Sequence, residues 1–212
     1  MFKIKYLLSF LLLLTAASGA WAQKDAALVT TVSGDVSYQA AGTAASPVQS
    51  FMKLRESDRI DVKGNAKLQL VYLASGEVEQ WEGPAAFTVG IQRTLTISNG
   101  TPLTRKLPAS MVERLARTPA VMNDIRNRSG VTVTRALRPL SPKVAAAHEA
   151  HAQARRELPP DDISPELDLL VVLYEARHFG EANDVLQNMQ RRAPDDVGVR
   201  ELAEKFRKLM RR

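Results

Sequence analysis

Along the first half of the chain apolar positions come in short alternating runs broken by glycine. Along the second half they recur every three or four residues, and the change falls near Leu107-Pro108. A period of two puts alternate side chains on one face of a strand, whereas a period of 3.6 stacks them on one face of a helix. Residues 28–33 and 36–39 therefore read as two short strands around Gly34-Asp35, 40–47 as a loop, and 59–62 as a strand ending at Lys63-Gly64-Asn65. Residues 66–74 give the clearest strand. Leu68, Leu70 and Tyr72 share one face and Lys67, Gln69, Val71 and Leu73 the other, so its far end is expected to be covered on both sides. Ser75-Gly76 turns the chain into a strand over 77–81, Gly83-Pro84 interrupts, residues 86–89 continue, and 94–98 form a last strand before the Asn99-Gly100 turn. Many short strands punctuated by glycine indicate a small antiparallel sandwich or barrel.

Beyond Pro108, helices are predicted over 109–117 and 119–128, the second with Thr118 as its cap, Pro119 in its first turn and Ser129-Gly130 at its end. Residues 131–135 alternate Val and Thr and predict one further strand returning to the sheet. Ser141-Pro142 starts an alanine-rich helix that Pro159-Pro160 stops, and Ser164-Pro165-Glu166 starts the next by the same cap chemistry. That helix carries Leu167, Leu169, Leu170, Val171, Val172 and Leu173, and an all-round apolar surface requires packing on more than one side. Phe179, Ala182, Leu186 and Met189 mark one face of the following helix, which Pro194 stops. Val199, Leu202, Ala203, Phe206, Leu209 and Met210 form the stripe of the last. The expected fold class is α+β, a small antiparallel β-sandwich or barrel followed by an α-helical hairpin array.

The N-terminus changes the setting. Lys3 and Lys5 precede an apolar run over 6–17, and Ala20-Trp21-Ala22 supplies the small-x-small pattern of a signal-peptidase site, with cleavage between Ala22 and Gln23. The run is shorter than the roughly 20 apolar residues of a membrane span, so export and a periplasmic location are expected, with no transmembrane span in the mature chain. The expected organisation is a signal peptide over 1–22, a β domain over 23–107, a helical connector with the returning strand over 108–141 and a helical domain over 142–212. Cysteine is absent, which excludes disulfides and thiolate metal sites. The net charge of +6 would raise nucleic acid as a partner in the cytoplasm, but outside it points to anionic lipid, lipopolysaccharide or acidic proteins.

Candidate chemistry is sparse. His148-Glu149-Ala150-His151 places two histidines three apart, whereas a zinc-protease helix needs four, and the third histidine, His178, is remote in sequence. Asp161-Asp162 and Asp195-Asp196 each precede a predicted helix, where a carboxylate caps free amides and meets the positive dipole end. Without a phosphate-cradling glycine loop or a nucleophile elbow, no catalytic residue, metal or cofactor is expected. The basic run Lys205, Arg207, Lys208, Arg211 and Arg212 lies opposite the last helix's apolar stripe and reads either as dipole compensation or as a contact with an anionic surface. Trp81, between Glu79 and Glu82, reads either as an exposed contact or as a half-buried strand residue.

Four segments resemble the FecR domain, an extracytoplasmic β module. They are Val32-Ser33-Gly34-Asp35-Val36, Leu54-Arg55-Glu56-Ser57-Asp58-Arg59-Ile60, Asn65-Ala66-Lys67-Leu68-Gln69-Leu70 and Ala74-Ser75-Gly76. Ser57 stands where that family has a glycine, and the usual aspartate before Gly76 is missing. FecR itself signals through a cytoplasmic segment and a membrane span, where this chain carries its export signal, so the resemblance implies fold and setting rather than that mechanism. From about Ser164 onward the chain is similar to a single tetratricopeptide repeat with a capping helix, through Leu170, Phe179, Glu181, Ala182, Leu186 and Pro194. Arg177 replaces that repeat's inter-helix glycine, and Leu173 its tyrosine. Such repeats bind proteins and carry no chemistry of their own.

These readings converge on a periplasmic, non-enzymatic protein-interaction, scaffolding or signalling-adaptor protein, with another envelope protein as partner. Trp81, Phe179, Arg207, Lys208 and Arg211 are the candidate contacts. The alternative is an envelope-ligand binder that takes glycan or lipid through the β domain.

Overall fold

A computed structural model describes residues 24–128 and 141–210. The predicted cleavage site at Ala22 and Gln23 and the predicted strand over 131–135 lie outside them, as do Arg211 and Arg212. The strands are β1 (Asp25–Ser33), β2 (Val36–Gln39), β3 (Ser46–Pro47), β4 (Lys53–Arg55), β5 (Arg59–Val62), β6 (Lys67–Tyr72), β7 (Glu77–Glu82), β8 (Ala85–Thr88), β9 (Thr96–Asn99) and β10 (Leu103–Lys106). The helices are α1 (Ala109–Leu115), α2 (Thr118–Asn127), α3 (Pro142–Glu157), α4 (Ser164–Glu175), α5 (Phe179–Arg192) and α6 (Val197–Met210). The class is α+β.

Two antiparallel five-stranded sheets stack face to face, one in the order β10-β7-β6-β1-β4 and the other β3-β2-β5-β8-β9. Between them lies a core in which Leu54, Leu68, Leu70, Tyr72 and Trp81 meet Val36, Ile60, Val62 and Phe87. Chain neighbours β1 and β2 belong to different sheets, so Gly34 is a corner rather than a hairpin turn. It takes a φ of +80°, and a Cβ there would lie 2.9 Å from the Ala66 Cα, which leaves room only for glycine.

The first sheet is also covered on its other face. Leu28, Val71 and Val78 join a second core with Met111, Leu115, Leu167, Leu170 and the stripes of α5 and α6. The molecule thus has three layers, and the change of pattern near Leu107 separates element types but not cores. β6 is buried between both, with Leu70 facing the sandwich and Val71 facing the helices. Helix α4 is the helical counterpart, buried at every position from Ser164 to Tyr174. Around it α1, α2, α3 and α5 pack directly, while α6 closes against α5 and α2.

Several local expectations change. Thr118 does not cap α2; it is the first helical residue, buried, and its hydroxyl has no partner. Ser164 likewise lies inside α4, and Asp162 does the capping by accepting from the Ser164 N–H at 2.9 Å. Ser141 caps α3 as predicted, accepting from the Val144 N–H. The chain has a strand beyond the one ending at Asn99: β10 crosses to the first sheet and pairs with β7. β4 and β10 are too short, and β10 too polar, to show an alternating pattern.

Ser57 and Arg177, which stand where the two resembled families carry glycine, take the left-handed conformation, at φ 71° and φ 61°. A side chain there costs about 1–2 kcal/mol relative to glycine.

Candidate functional site

Of the four predicted contact residues among the described ones, Trp81 and Phe179 are buried and Arg207 and Lys208 are exposed. Trp81 is 0% exposed, stacks on Phe87 with ring centroids 4.1 Å apart, and donates Nε1–H to Glu79 Oε2 at 3.0 Å. Its flanking carboxylates do not make it a contact: Glu79 is buried with it and Glu82 pairs with Lys67. Phe179, 8% exposed, packs edge-on against Tyr174 at 5.5 Å and is likewise removed from solvent. Arg207 and Lys208 are exposed in the last turn of α6, where they suit the negative end of the dipole. They face no apolar patch, because the stripe beneath them is consumed by packing against α5 and α2.

The chain's three histidines all meet carboxylates. His148 Nε2 lies 2.9 Å and His178 Nδ1 2.8 Å from opposite oxygens of Glu181, while His151 Nε2 lies 3.3 Å from Glu166 Oε1. Two of these contacts tie α3 to α4 and α5, and no metal-holding cluster of three or more such residues occurs among the described residues.

The buried charges join layers. Asp162 accepts Gln69 Nε2–H at 2.9 Å and pairs with Arg105, so the start of α4 is bound to β6 and β10. Asp196 accepts Val199 N–H as the cap of α6, and also Val32 N–H at 3.0 Å and Ser50 Oγ–H at 2.7 Å. Burial nevertheless holds the Asp196 carboxyl above its ordinary pKa, against those bonds. Asp168 takes a two-pronged pair from Arg114, with Nη2 at 2.9 Å, and Glu166 takes Arg192 Nε at 3.0 Å. In both Asp-Asp pairs the second residue is the anchor. The first residues, Asp161 and Asp195, are exposed and line a cleft of about 310 Å³ with Asn65, Gln80 and Thr31.

What remains uncovered is one edge of the sandwich. Leu95 is 65%, Ile97 50% and Leu103 68% exposed; among the described residues the only other large apolar side chain so exposed is Val197. All three lie within nine residues, in β9, the residue before it and β10. The element is held firmly from inside. Glu79 Oε1 accepts Thr94 N–H at 2.9 Å and Oε2 accepts the Thr94 hydroxyl, which fixes the entry to β9. Leu95 N–H donates to Thr88 O at 2.9 Å, and Asn99 Nδ2–H donates to Pro84 O at 3.1 Å to fix the exit. Alternation alone could have marked Leu95, Ile97 and Leu103 as strand residues, but not that their neighbours stop there. No helix among the described residues is long and apolar enough to cross a membrane.

No family model, curated protein or solved structure matches the chain.

Proposed function

We propose that this is a non-enzymatic, periplasmic protein-interaction module built on a FecR-like sandwich, and that it meets its partner through the β9–β10 edge. The carrying observation is the concentration of exposed apolar side chains at Leu95, Ile97 and Leu103, where the other large apolar side chains among the described residues, Val197 apart, are buried or half-buried. Ser57 and Arg177 support the two family resemblances. Each stands where the family has glycine and each takes a left-handed φ, the conformation that glycine serves. The tetratricopeptide-like helices then act as a brace rather than a receptor, because Phe179, Leu186 and Met189 are spent on packing.

A photo-crosslinking residue at Ile97, in cells, tests this reading against one at Arg207 on α6. Capture of one discrete envelope protein from position 97 and none from 207 is the expected result. Capture from 207 alone would move the site to the basic helix and overturn it. The cleft lined by Asn65, Gln80 and Thr31 favours a second reading, a glycan ligand, since its lining is rich in amides and hydroxyls. Pull-down on purified cell-wall material, lost in an Asn65→Ala/Gln80→Ala variant, would favour it instead.

A further inference from the structure

Resting on that reading, we propose how the partner binds: as an extended segment with alternating apolar and acidic side chains that adds a strand to β9. The sandwich has four free edges, β3, β4, β9 and β10. An uncovered edge offers unpaired backbone donors and acceptors, and native proteins block it with charge, proline or a bulge. β3 carries Pro47, β4 carries Lys53 and Arg55, and β10 carries Arg105 and Lys106. β9, reading Thr-Ile-Ser-Asn, has neither charge nor proline, and every residue in it is exposed. Its one irregularity falls between the Phe87 and Ala86 pairings, beyond Thr96 and Ile97.

The backbone of β9 points the right way. Thr88 O accepts Leu95 N–H while Val89 N–H turns the other way to Asp58 O, so Thr88 faces β9 and its register partner Thr96 faces back into the ladder. Successive amides alternate, so the Ile97 N–H, opposite Phe87, faces away from β8. Main-chain pairing supplies affinity in this mode, and alternate side chains supply specificity. Charge chooses the partner. Arg93 and Lys106 flank the apolar residues, both exposed and neither in an ion pair among the described residues. Glu77 lies across from Lys106 in register without closing on it. The nearby charges are spent elsewhere, Arg105 on Asp162 and Glu82 on Lys67. A second copy would set these cations against their own counterparts, whereas an acidic strand would complement them.

The test uses two blocked eight-residue peptides, alternating valine–glutamate and valine–lysine, with the full mature chain. The acidic peptide should bind, protect the Ile97 amide from hydrogen exchange, and bind at least about tenfold more tightly than the basic one. Ile97→Pro removes the outward donor together with the side chain and should bind about tenfold more weakly than Ile97→Ala, which loses the side chain but keeps the donor. Should Ile97→Pro not fold, the Arg93→Glu/Lys106→Glu variant should invert the preference between the two peptides. Equal binding by Ile97→Pro and Ile97→Ala would overturn strand addition. So would failure of both peptides while crosslinking from Ile97 persists, a result that leaves the interaction reading standing. Concentration-dependent dimerisation abolished by Ile97→Pro and kept by Ile97→Ala would assign the edge to a second copy and overturn the acidic partner.

Discussion

β6 and β9 belong to the same sandwich and meet opposite fates. β6 lies third of five in its sheet, paired on both sides, with one face in the inter-sheet core and its far end against the helices. β9 ends its sheet, pairs on one side only, and exposes all four residues. Both carry β-branched and apolar side chains, so composition does not separate them. What separates them is cover, and cover is where stability and recognition part. A side chain that packs on two layers can be changed only at the expense of the fold. One that faces water at a firmly held edge can be changed without touching the fold, and so is free to serve binding.

The sharpest way to break this contrast is in the covered region. Trp81→Ala should cost about 3–5 kcal/mol of stability, through lost packing on Phe87 and a buried Glu79 left without its indole donor. Denaturant unfolding measures it, and a loss under 1 kcal/mol, far short of a buried tryptophan's worth, would show that the inter-sheet core is not closed there. Next comes the seam between layers. Asp196→Ala strips acceptors from Val32 N–H, Ser50 and the α6 cap together, and should cost about 2 kcal/mol. Burial already holds that carboxyl above its ordinary pKa, and this offsets part of what the bonds contribute.

The backbone gives an effect of opposite sign. Ser57→Gly and Arg177→Gly each relieve a left-handed residue and should each stabilise by about 1 kcal/mol, additively because they sit in different layers. A destabilising result at Ser57 would mean that its side chain repays the strain.

The smallest expected effect is a pH dependence. The His178 and His148 bonds outweigh burial and hold the Glu181 carboxyl below its ordinary 4.5. A depressed carboxylate contributes stability that is present above the unfolded value and is lost as pH falls through the folded one. The stability difference between parent and Glu181→Gln should therefore be constant near neutrality and shrink below about pH 4.5. A difference that grows in that range would contradict the assignment.

Much of this architecture was legible in the chain. The two-sided covering of β6 followed from Leu68, Leu70 and Tyr72 alternating with Val71 and Leu73, and the central place of α4 from its all-round apolar surface. The capping roles of Asp162 and Asp196 followed from their place before helices. Their second tasks did not, because Gln69 lies 93 residues from Asp162 and Ser50 lies 146 from Asp196, and no local pattern records such a bond. Trp81 and Phe179 were candidate contacts for the same reason: an aromatic on one face looks alike whether water or another layer covers it. Leu95, Ile97 and Leu103 went unmarked because exposure at an edge is a property of sheet order.

The central claim is that the β9–β10 edge is free for recognition because it contributes little to stability. A Leu95→Ser/Ile97→Ser/Leu103→Ser variant tests it most directly, with melting temperature and capture of the crosslinked partner read on the same preparation. The expected result is a Tm within about 2 °C of the parent together with loss of capture. A Tm lowered by about 6 °C or more, or capture undiminished, would contradict it.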